Sequence, residues 1–307
     1  MNVSVAICTW NRAELLAQTL GSLRDLRVPH GVDWELLVVD NNSSDDTPAV
    51  IDAAASHLPI LHLSESRPGQ SYARNLAVAE SHGEWILFTD DDVLVDAEWL
   101  TATLDAFRQL EADLVYGRSL PRWETAPPSW FSDLFMGKFA LLDHGDEPMV
   151  VTNSLQKGFG LNHAFRRAAL ERIGGYRTDM GLRHGHGAGG EDSEMFRRAH
   201  RAGLRIAYTP HSVVQHFIPT ERCQKAFSRQ RAWRGSEDYL NLLNESDDQV
   251  PRIFGIPRFL FRRQLHDVRK YLFGIIRRRP DEAFYYELRL LQFVGLLLRS
   301  WERRKNA

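Results

Sequence analysis

The stretch EWILFTDDDVLVDAEWL (residues 84–100) places a short apolar run directly before three consecutive aspartates. Residues 85–88 have the pattern of a buried strand. Asp90, Asp91 and Asp92 repel one another, and at the end of such a strand they need water, an opposite charge or a metal to compensate them. The stretch therefore predicts a buried strand whose carboxyl end carries a charged site.

Composition places the chain among soluble globular proteins. It has 307 residues, of which 43% are hydrophobic, and a formal net charge of -2, so it is long enough for one large domain or two smaller ones. With only Cys8 and Cys223, a disulfide framework is not expected, and a reducing compartment is. The first residues lack a signal-peptide pattern, and no run reaches the roughly 18 apolar residues of a membrane span. A cytoplasmic location is therefore expected.

Strand and helix patterns alternate over the first hundred residues. The apolar runs VSVAIC, WELLVVD, PILHLSES and EWILFTD are each followed by a polar loop, and a helical pattern comes after each loop. This alternation predicts an α/β fold with a mostly parallel, Rossmann-like sheet flanked by helices. Ligands bind such sheets at the carboxyl ends of the strands, so we expect Thr9, Asn11, Asp40 and the three aspartates to converge there.

Three carboxylates at a strand end suit a hard divalent cation such as Mg2+ or Mn2+. For these aspartates alone, an acidic turn that caps the next helix is the alternative. However, Asp40 ends a neighbouring strand, and a second acidic pair, Glu191 and Asp192, opens the helical pattern EDSEMFRRAHRAG. The presence of these other carboxylates favours a metal site.

The motifs VAICTWNR, LLVVDNNSSDDT, GQSYARNLAV, FTDDDV and GEDSEMFRRAHRAG resemble those of the family 2 glycosyltransferases of the GT-A fold, in the same order and at comparable spacing. The resemblance implies a GT-A nucleotide-sugar-binding and catalytic domain over residues 1–235. A basic, amphipathic helical C-terminal extension would follow over residues 236–307.

The resemblance also implies a reaction and a set of site residues. A sugar would pass from a nucleotide-diphosphate sugar to an acceptor hydroxyl with inversion at the anomeric carbon, and Mn2+ or Mg2+ would be the cofactor. Asp192 would be the general base, and Glu191 would replace it or orient the acceptor. The nucleotide would be bound by Thr9, Asn11, Asp40, Arg74, Asp90 and Asp91, and the metal by Asp92, Asp90 and His216.

Three histidines are candidate metal ligands. His216 follows an apolar run, where a histidine resembles the third metal ligand of many GT-A enzymes; a structural histidine is the alternative, and Arg222 is a candidate contact for the pyrophosphate. His184 and His186, in the glycine-rich loop, are weaker candidates. The spacing HGHG also resembles a zinc motif, but no cysteine or third histidine at metal-site spacing supports zinc.

These residues favour one function, glycosyl transfer, and leave two alternative functions open. We expect one sugar to be added per encounter, because no spanning helix is predicted and residues 230–234 depart from the Gln-x-x-Arg-Trp pattern of processive members. A UDP-sugar is the expected donor, with dTDP-sugar and GDP-sugar open, and the acceptor is expected to be a glycan or lipid-linked. The rivals are a nucleotidyltransferase, although CTWNRAELL lacks a basic, glycine-rich phosphate loop, and a non-catalytic GT-A-like protein that binds a glycan or a partner.

Positive charge is concentrated at the C-terminal end. Residues 251–307 contain 14 Lys and Arg against 5 Asp and Glu, a net charge of +9, whereas the preceding residues carry -11. Apolar residues interleaved with arginines suit a helix on an anionic membrane surface, which predicts peripheral contact with the inner face of the membrane. A helical hairpin packed on the catalytic domain or on a second subunit is the alternative. Nucleic-acid binding is not expected, since no binding module is recognisable, and the oligomeric state is open.

Overall fold

The structure, a computed structural model, describes residues 2–152, 158–181, 189–244 and 250–305. The chain divides into two compact units. The first comprises Met1–Arg122, Ala140–His186 and Glu191–Phe217, and the second comprises Trp123–Phe139, Gly187–Gly190 and Ile218–Ala307. The predicted boundary between residues 235 and 236 lies inside a helix of the second unit, and the predicted division into domains stays a prediction.

The first unit contains a sheet flanked by helices. Its strands are β1 (Val3–Thr9), β2 (Trp34–Asp40), β3 (Ile60–Ser64), β4 (Trp85–Asp90), β5 (Val93–Val95), β6 (Leu114–Trp123), β7 (Met149–Val150), β8 (Asn162–Arg166) and β9 (Ile206–Ile218). Its helices are α1 (Ala13–Leu23), α2 (Thr47–Ala54), α3 (Gln70–Glu80), α4 (Trp99–Gln109), α5 (Arg167–Ile173) and α6 (Glu191–Arg201).

The sheet is mixed. Within the described part of the chain it has nine strands in the order β3-β2-β1-β4-β8-β6-β9-β5, and β7 pairs with β9. Strands β1 to β4 pair in parallel, as the alternation of strands and helices predicts. The pairings of β4 with β8, β5 with β9, β6 with β8 and β7 with β9 are antiparallel.

Apolar side chains cover both faces of the sheet. Val3, Val5 and Ile7 of β1 belong to the core on one face, which α1 and α4 complete, and Ala6 belongs to the core on the other face, which α3, α5 and α6 complete. Alternate residues of a strand point to opposite faces, so a strand that is buried on both faces has a continuous apolar sequence. This explains the uninterrupted runs from which the strands are predicted.

The second unit is mainly helical. It contains α7 (Lys225–Asn244), a hairpin of β10 (Arg252–Ile253) and β11 (Ile256–Pro257), α8 (Arg258–Ile276) and α9 (Pro280–Lys305), as well as short 3-10 turns at Asp133–Phe139 and Thr220–Cys223. Leu240, Ile256, Leu260 and Leu296 form its core. Within the ranges that the structure covers, no helix is long and apolar enough to cross a membrane.

Candidate active site

The parallel strands bring the predicted nucleotide-binding residues to one edge of the sheet. Thr9 lies opposite Asp40 in the pairing of β1 with β2, and Cys8 lies opposite Asp90 in the pairing of β1 with β4. Asn11 has a φ of 50°, a left-handed conformation that asparagine tolerates better than most residues. Its side-chain oxygen accepts a hydrogen bond from the backbone N–H of residue 44 at 2.7 Å, which fixes the loops after β1 and β2 against each other.

Arg12 compensates two of the three aspartates. Its Nη1 lies 2.8 Å from Oδ1 of Asp91 and 2.8 Å from Oδ2 of Asp92. Both carboxylates are buried, whereas the arginine side chain is 46% exposed. Burial raises the pKa of Asp91 to about 6, although Arg12 acts against this shift. Two carboxylate oxygens therefore converge on one cationic nitrogen.

Arg74 joins the third aspartate to the acidic pair of α6. Its buried guanidinium lies 2.6 Å from Oδ1 of Asp192, 3.3 Å from Oε1 of Glu191 and 3.3 Å from Oδ1 of Asp90. The backbone N–H of Gly160 donates to Oδ2 of Asp192 at 2.9 Å. Glu191 and Asp192 are the first two residues of α6, where the positive end of the helix dipole also favours negative charge. Asp90 and the neighbouring pair Glu191 and Asp192, which is far from it in the sequence, thus share one cation.

Glu191 and Asp192 of α6 titrate differently. Burial and the neighbouring Asp192 raise the pKa of Glu191 to about 7. Burial also acts to raise the pKa of Asp192, but Arg74, His163 and a backbone N–H outweigh it and lower that pKa below its usual value. The side chain of Asp192 is 25% exposed, against 4% for Glu191. At neutral pH, Asp192 is therefore ionised and reachable from solvent.

His216 lies beside the aspartates. It pairs with Val93 where β9 runs against β5, and the neighbouring Phe217 N–H donates to the carbonyl oxygen of Asp92 at 2.8 Å. Its Nε2 is 3.7 Å from Oδ1 of Asp92. The position agrees with the predicted ligand role, which stays a prediction.

Comparison with known proteins decides between the possible families. The model of the family described as Glycosyl transferase family 2 matches residues 4–174, more than half of the chain. The chain belongs to this family. It is therefore a glycosyltransferase, an enzyme that uses a nucleotide-sugar donor. A second model, described as the N-terminal domain of galactosyltransferase, matches residues 144–221.

Relatives and solved structures extend this result. Succinoglycan biosynthesis protein ExoM of Rhizobium meliloti (strain 1021) is 29% identical over 248 residues, 80% of this chain and 76% of that protein. O-antigen chain rhamnosyltransferase WbaN of Salmonella anatum is 24% identical over 204 residues, 63% of this chain and 60% of that protein. Mannosyltransferase PcManGT from Pyrobaculum calidifontis, in complex with GDP-Man and Mn2+, has a TM-score of 0.61 at 21% identity and covers 100% of this chain and 75% of its own. TarS 1-349 of S. aureus has a TM-score of 0.57 at 16% identity and covers 94% and 90%.

The solved structures confirm the predicted GT-A fold of the glycosyltransferase, with its helical C-terminal region. The three strand-end aspartates, together with Glu191 and Asp192, lie in two groups. Asp91 and Asp92 meet at Arg12, and Asp90 meets the α6 acids at Arg74. His184 and His186 lie outside the described residues. Within the described residues, no group of three or more His, Cys, Asp or Glu is arranged to hold a metal.

Several residues of this site were not singled out from the sequence. Arg12 directly follows Asn11 in the motif TWNR, so its position in that motif was the available signal. Gln70 precedes Arg74 by one turn of α3; with its amide oriented to satisfy both neighbours, it donates to Glu191 at 3.2 Å and accepts from Arg74 at 2.9 Å. His163 donates from Nδ1 to the carbonyl oxygen of Gly160 at 2.8 Å, so Nε2 of the neutral ring accepts from the hydroxyl of Tyr176 at 2.6 Å. A histidine in a strand gives no sequence signal for such contacts.

Proposed function

We propose that the enzyme moves one sugar from a nucleotide-diphosphate sugar to a hydroxyl of a glycan or glycolipid acceptor, and that the donor is a UDP-sugar. We also propose that the reaction depends on a divalent metal and inverts the configuration at the anomeric carbon. The observation that carries the proposal is the Arg74 guanidinium, which contacts both Asp90 at the end of β4 and Asp192 at the start of α6. The predicted donor side and the predicted acceptor side of the reaction therefore share one buried cation. Family membership supports glycosyl transfer over a nucleotidyltransferase or a non-catalytic binding protein.

Asp192 is our proposed general base. An inverting transfer needs a carboxylate that accepts the proton of the acceptor hydroxyl as that hydroxyl attacks. Asp192 is ionised and partly exposed, and its two oxygens are held by Arg74 and the Gly160 N–H, which fixes the carboxylate without removing its charge. Glu191, which is buried and has a pKa of about 7, is proposed to orient the acceptor or Asp192.

The strand-end aspartates suit a divalent cation. The oxygens of Asp91 and Asp92 converge on one nitrogen of Arg12, and carboxylate oxygens are the ligands that Mg2+ and Mn2+ prefer. We propose that Asp92, with Asp90 and His216, holds Mn2+ or Mg2+, and that Arg12 moves aside. The ion would supply charge that stabilises the departing diphosphate.

Thr9, Asn11 and Asp40 are proposed to contact the nucleotide, with Asp40 facing the base or ribose. Asp40 is buried at the end of β2, and its Oδ1 accepts the backbone N–H of Ser43 at 2.9 Å, so its position is fixed. Among the structural neighbours, one is named as a complex with GDP-Man and another as a complex with UDP-GlcNAc. The relative named for succinoglycan biosynthesis supports a role in polysaccharide biosynthesis.

Donor class and metal dependence are tested together by thermal shift. UDP, GDP, dTDP and CDP are each added with and without Mn2+ to the wild type, to Asp92→Asn and to the control Asp105→Asn, which changes a half-exposed aspartate of α4. We expect UDP with Mn2+ to raise the midpoint of the wild type and the control, but not that of Asp92→Asn. A larger shift with another nucleotide would correct the donor, and equal shifts without Mn2+ would reject metal dependence.

The base is tested by sugar transfer to a membrane-lipid extract. Asp192→Asn should lower the rate by about 10²- to 10⁴-fold and keep the nucleotide-induced thermal shift, because the amide cannot accept the proton. Glu191→Gln should have a smaller effect. If Asp192→Asn retains the rate and Glu191→Gln abolishes it, the base role belongs to Glu191.

A further inference from the structure

Helix α8 exposes apolar side chains away from the side chains that it buries. Its buried positions, Leu260, Gln264, Asp267 and Gly274, follow one side of the helix. On the other side, four apolar residues recur at helical spacing and are 41% to 79% exposed; they are Leu265, Val268, Leu272 and Ile276. A helix that only packed on its own domain would carry polar residues there.

A second apolar stripe lies on α9. Val294, Leu298 and Trp301 follow one another at intervals of four and three residues and are 46%, 44% and 56% exposed. The rings of Phe261 and Phe293 contact each other at 5.2 Å between α8 and α9. Phe261 lies one turn before Leu265, and Phe293 directly precedes Val294, so α8 and α9 pack together beside both stripes.

A strained hairpin presents a further aromatic ring. Phe254 and Gly255 form the two-residue turn between β10 and β11, with φ of 50° and 78°. Positive φ at both positions is the requirement of a type I′ turn, which favours asparagine or glycine and is costly for phenylalanine. The Phe254 side chain is nevertheless 61% exposed, and its carbonyl oxygen accepts the hydroxyl of Ser300, next to Trp301. An exposed phenylalanine in an unfavourable conformation indicates a role in binding.

Basic residues flank the α8 stripe. Arg258, Arg262, Arg263 and Arg269 are exposed on this helix. Its one acidic residue, Asp267, is fully buried and bonded to Arg289 of α9 at 2.9 Å. The exposed side of α8 therefore carries apolar and basic side chains but no acidic one.

We propose that the apolar surface formed by Phe254, Leu265, Val268, Leu272, Ile276, Val294, Leu298 and Trp301 docks on a membrane that contains anionic lipids. Such a membrane accepts the apolar side chains at the boundary of its acyl chains, and its headgroups pair with the arginines of α8. A second copy of the same surface fits less well, because a twofold-symmetric contact would place these arginines near one another. Helix α8 would lie in the plane of the interface. This docking requires neither the proposed donor nor the proposed acceptor, so it succeeds or fails separately from the proposed function.

Vesicle sedimentation tests the proposal with the full chain. The protein is mixed with vesicles of phosphatidylcholine alone or with added phosphatidylglycerol. We expect binding to the anionic vesicles, little binding to the neutral ones, and release by high salt. A protein that stays in the supernatant with both kinds of vesicle would overturn the proposal.

Two sets of variants separate the charge from the apolar contacts. Replacing Arg258, Arg262 and Arg269 by Gln should weaken binding on the order of a hundredfold, given the contribution of each arginine near an anionic surface. Replacing Leu265, Leu272 and Ile276 by Gln should weaken it by about tenfold or more. The matched control replaces the exposed Val28 and Leu61 of the first unit by Gln and should bind as the wild type does. If the Leu265 set instead dissolves a dimer in sedimentation velocity and leaves vesicle binding unchanged, the surface belongs to a second copy.

Phe254→Asn distinguishes membrane binding from a structural role. Asparagine is favoured in the turn, so the thermal midpoint should equal or exceed that of the wild type. Vesicle binding should nevertheless fall by about tenfold, because one apolar side chain is lost from the interface. A lower midpoint with unchanged vesicle binding would assign Phe254 to the packing of the hairpin and remove it from the proposed surface.

Discussion

At the scale of single residues, Arg74 holds the site together. Its side chain is 3% exposed and contacts three carboxylates, and an arginine in such a position cannot be removed without leaving buried negative charge uncompensated. We expect Arg74→Met to lower the free energy of unfolding by about 3–5 kcal/mol, measured by urea denaturation at neutral pH.

The control for Arg74 is Arg67→Met. Arg67 also pairs with a buried carboxylate, that of Glu65, but its own side chain is 63% exposed. The free energy of unfolding should stay close to that of the wild type, because water replaces the lost partner. Equal losses in the two variants would contradict the special position of Arg74.

The raised pKa of Glu191 predicts a pH-dependent cost to stability. Its pKa is about 7 in the folded protein and 4.5 for the free side chain. Between these values the unfolded chain has released the proton and the folded protein has not, so stability falls as pH rises from about 4.5 to about 7. Glu191→Gln keeps the neutral form, and it should be more stable than the wild type at pH 8, by about 1–3 kcal/mol, and nearly equal to it at pH 4.5.

Asp192→Asn is the contrasting variant for the same urea experiment. The pKa of Asp192 is lowered in the folded protein, so its contribution is complete above the ordinary aspartate pKa and is lost only as pH falls through the lowered value. The substitution should therefore destabilise the protein at both pH 5 and pH 8, and less at pH 8, because it also removes the repulsion by which Asp192 raises the pKa of Glu191. A rise in stability at pH 8 alone would contradict the separate titration of the two acids.

The sequence predicted which acidic residues lie at this edge of the sheet better than it predicted their partners. Asp90, Asp91 and Asp92 stand out because charge follows a buried strand. That Arg12 neutralises two of them and Arg74 the third depends on where α1 and α3 begin relative to β4, which a linear sequence does not contain.

Among the helices, a glycine-to-alanine substitution is expected to change the free energy of unfolding in opposite directions in α1 and α8. Gly274 lies in α8, where an added Cβ would meet the backbone nitrogen of Ala283 at 2.8 Å, whereas a Cβ added at Gly21 in α1 meets nothing within 4 Å. Gly21→Ala should raise stability by about 0.5–1 kcal/mol, since alanine favours a helix. Gly274→Ala should lower it by about 1–3 kcal/mol through overpacking of α8 against α9.

Thermal or urea unfolding of the two alanine variants measures this difference, with far-ultraviolet circular dichroism as the probe of helix content. A gain in both variants would show that α8 and α9 have room to adjust at Gly274. A loss in both would show that Gly21 has a packing role that open space around it does not indicate.

Local patterns predicted the parallel half of the sheet and not the antiparallel half. Strands β1, β2 and β4 have mostly apolar sequences, and one helix lies between successive strands from β1 to β4. The pairing of β4 with β8, or of β6 with β9, joins strands that are far apart in the sequence and have other strands and helices between them, so its register depends on tertiary packing.

At the scale of the whole molecule, the segment that departs from the processive pattern has a packing role. Trp233 of α7 stacks under the Arg299 guanidinium of α9 at 5.3 Å, and Ala232 is buried beside it. The tryptophan thus packs within the helical unit.

We expect one sugar to be added to each acceptor, as measured by mass spectrometry of the products formed with excess donor. Trp233→Ala should reduce stability by loss of this packing and leave the product at one added sugar. A ladder of products with the wild type would show that the enzyme is processive although it lacks the Gln-x-x-Arg-Trp pattern.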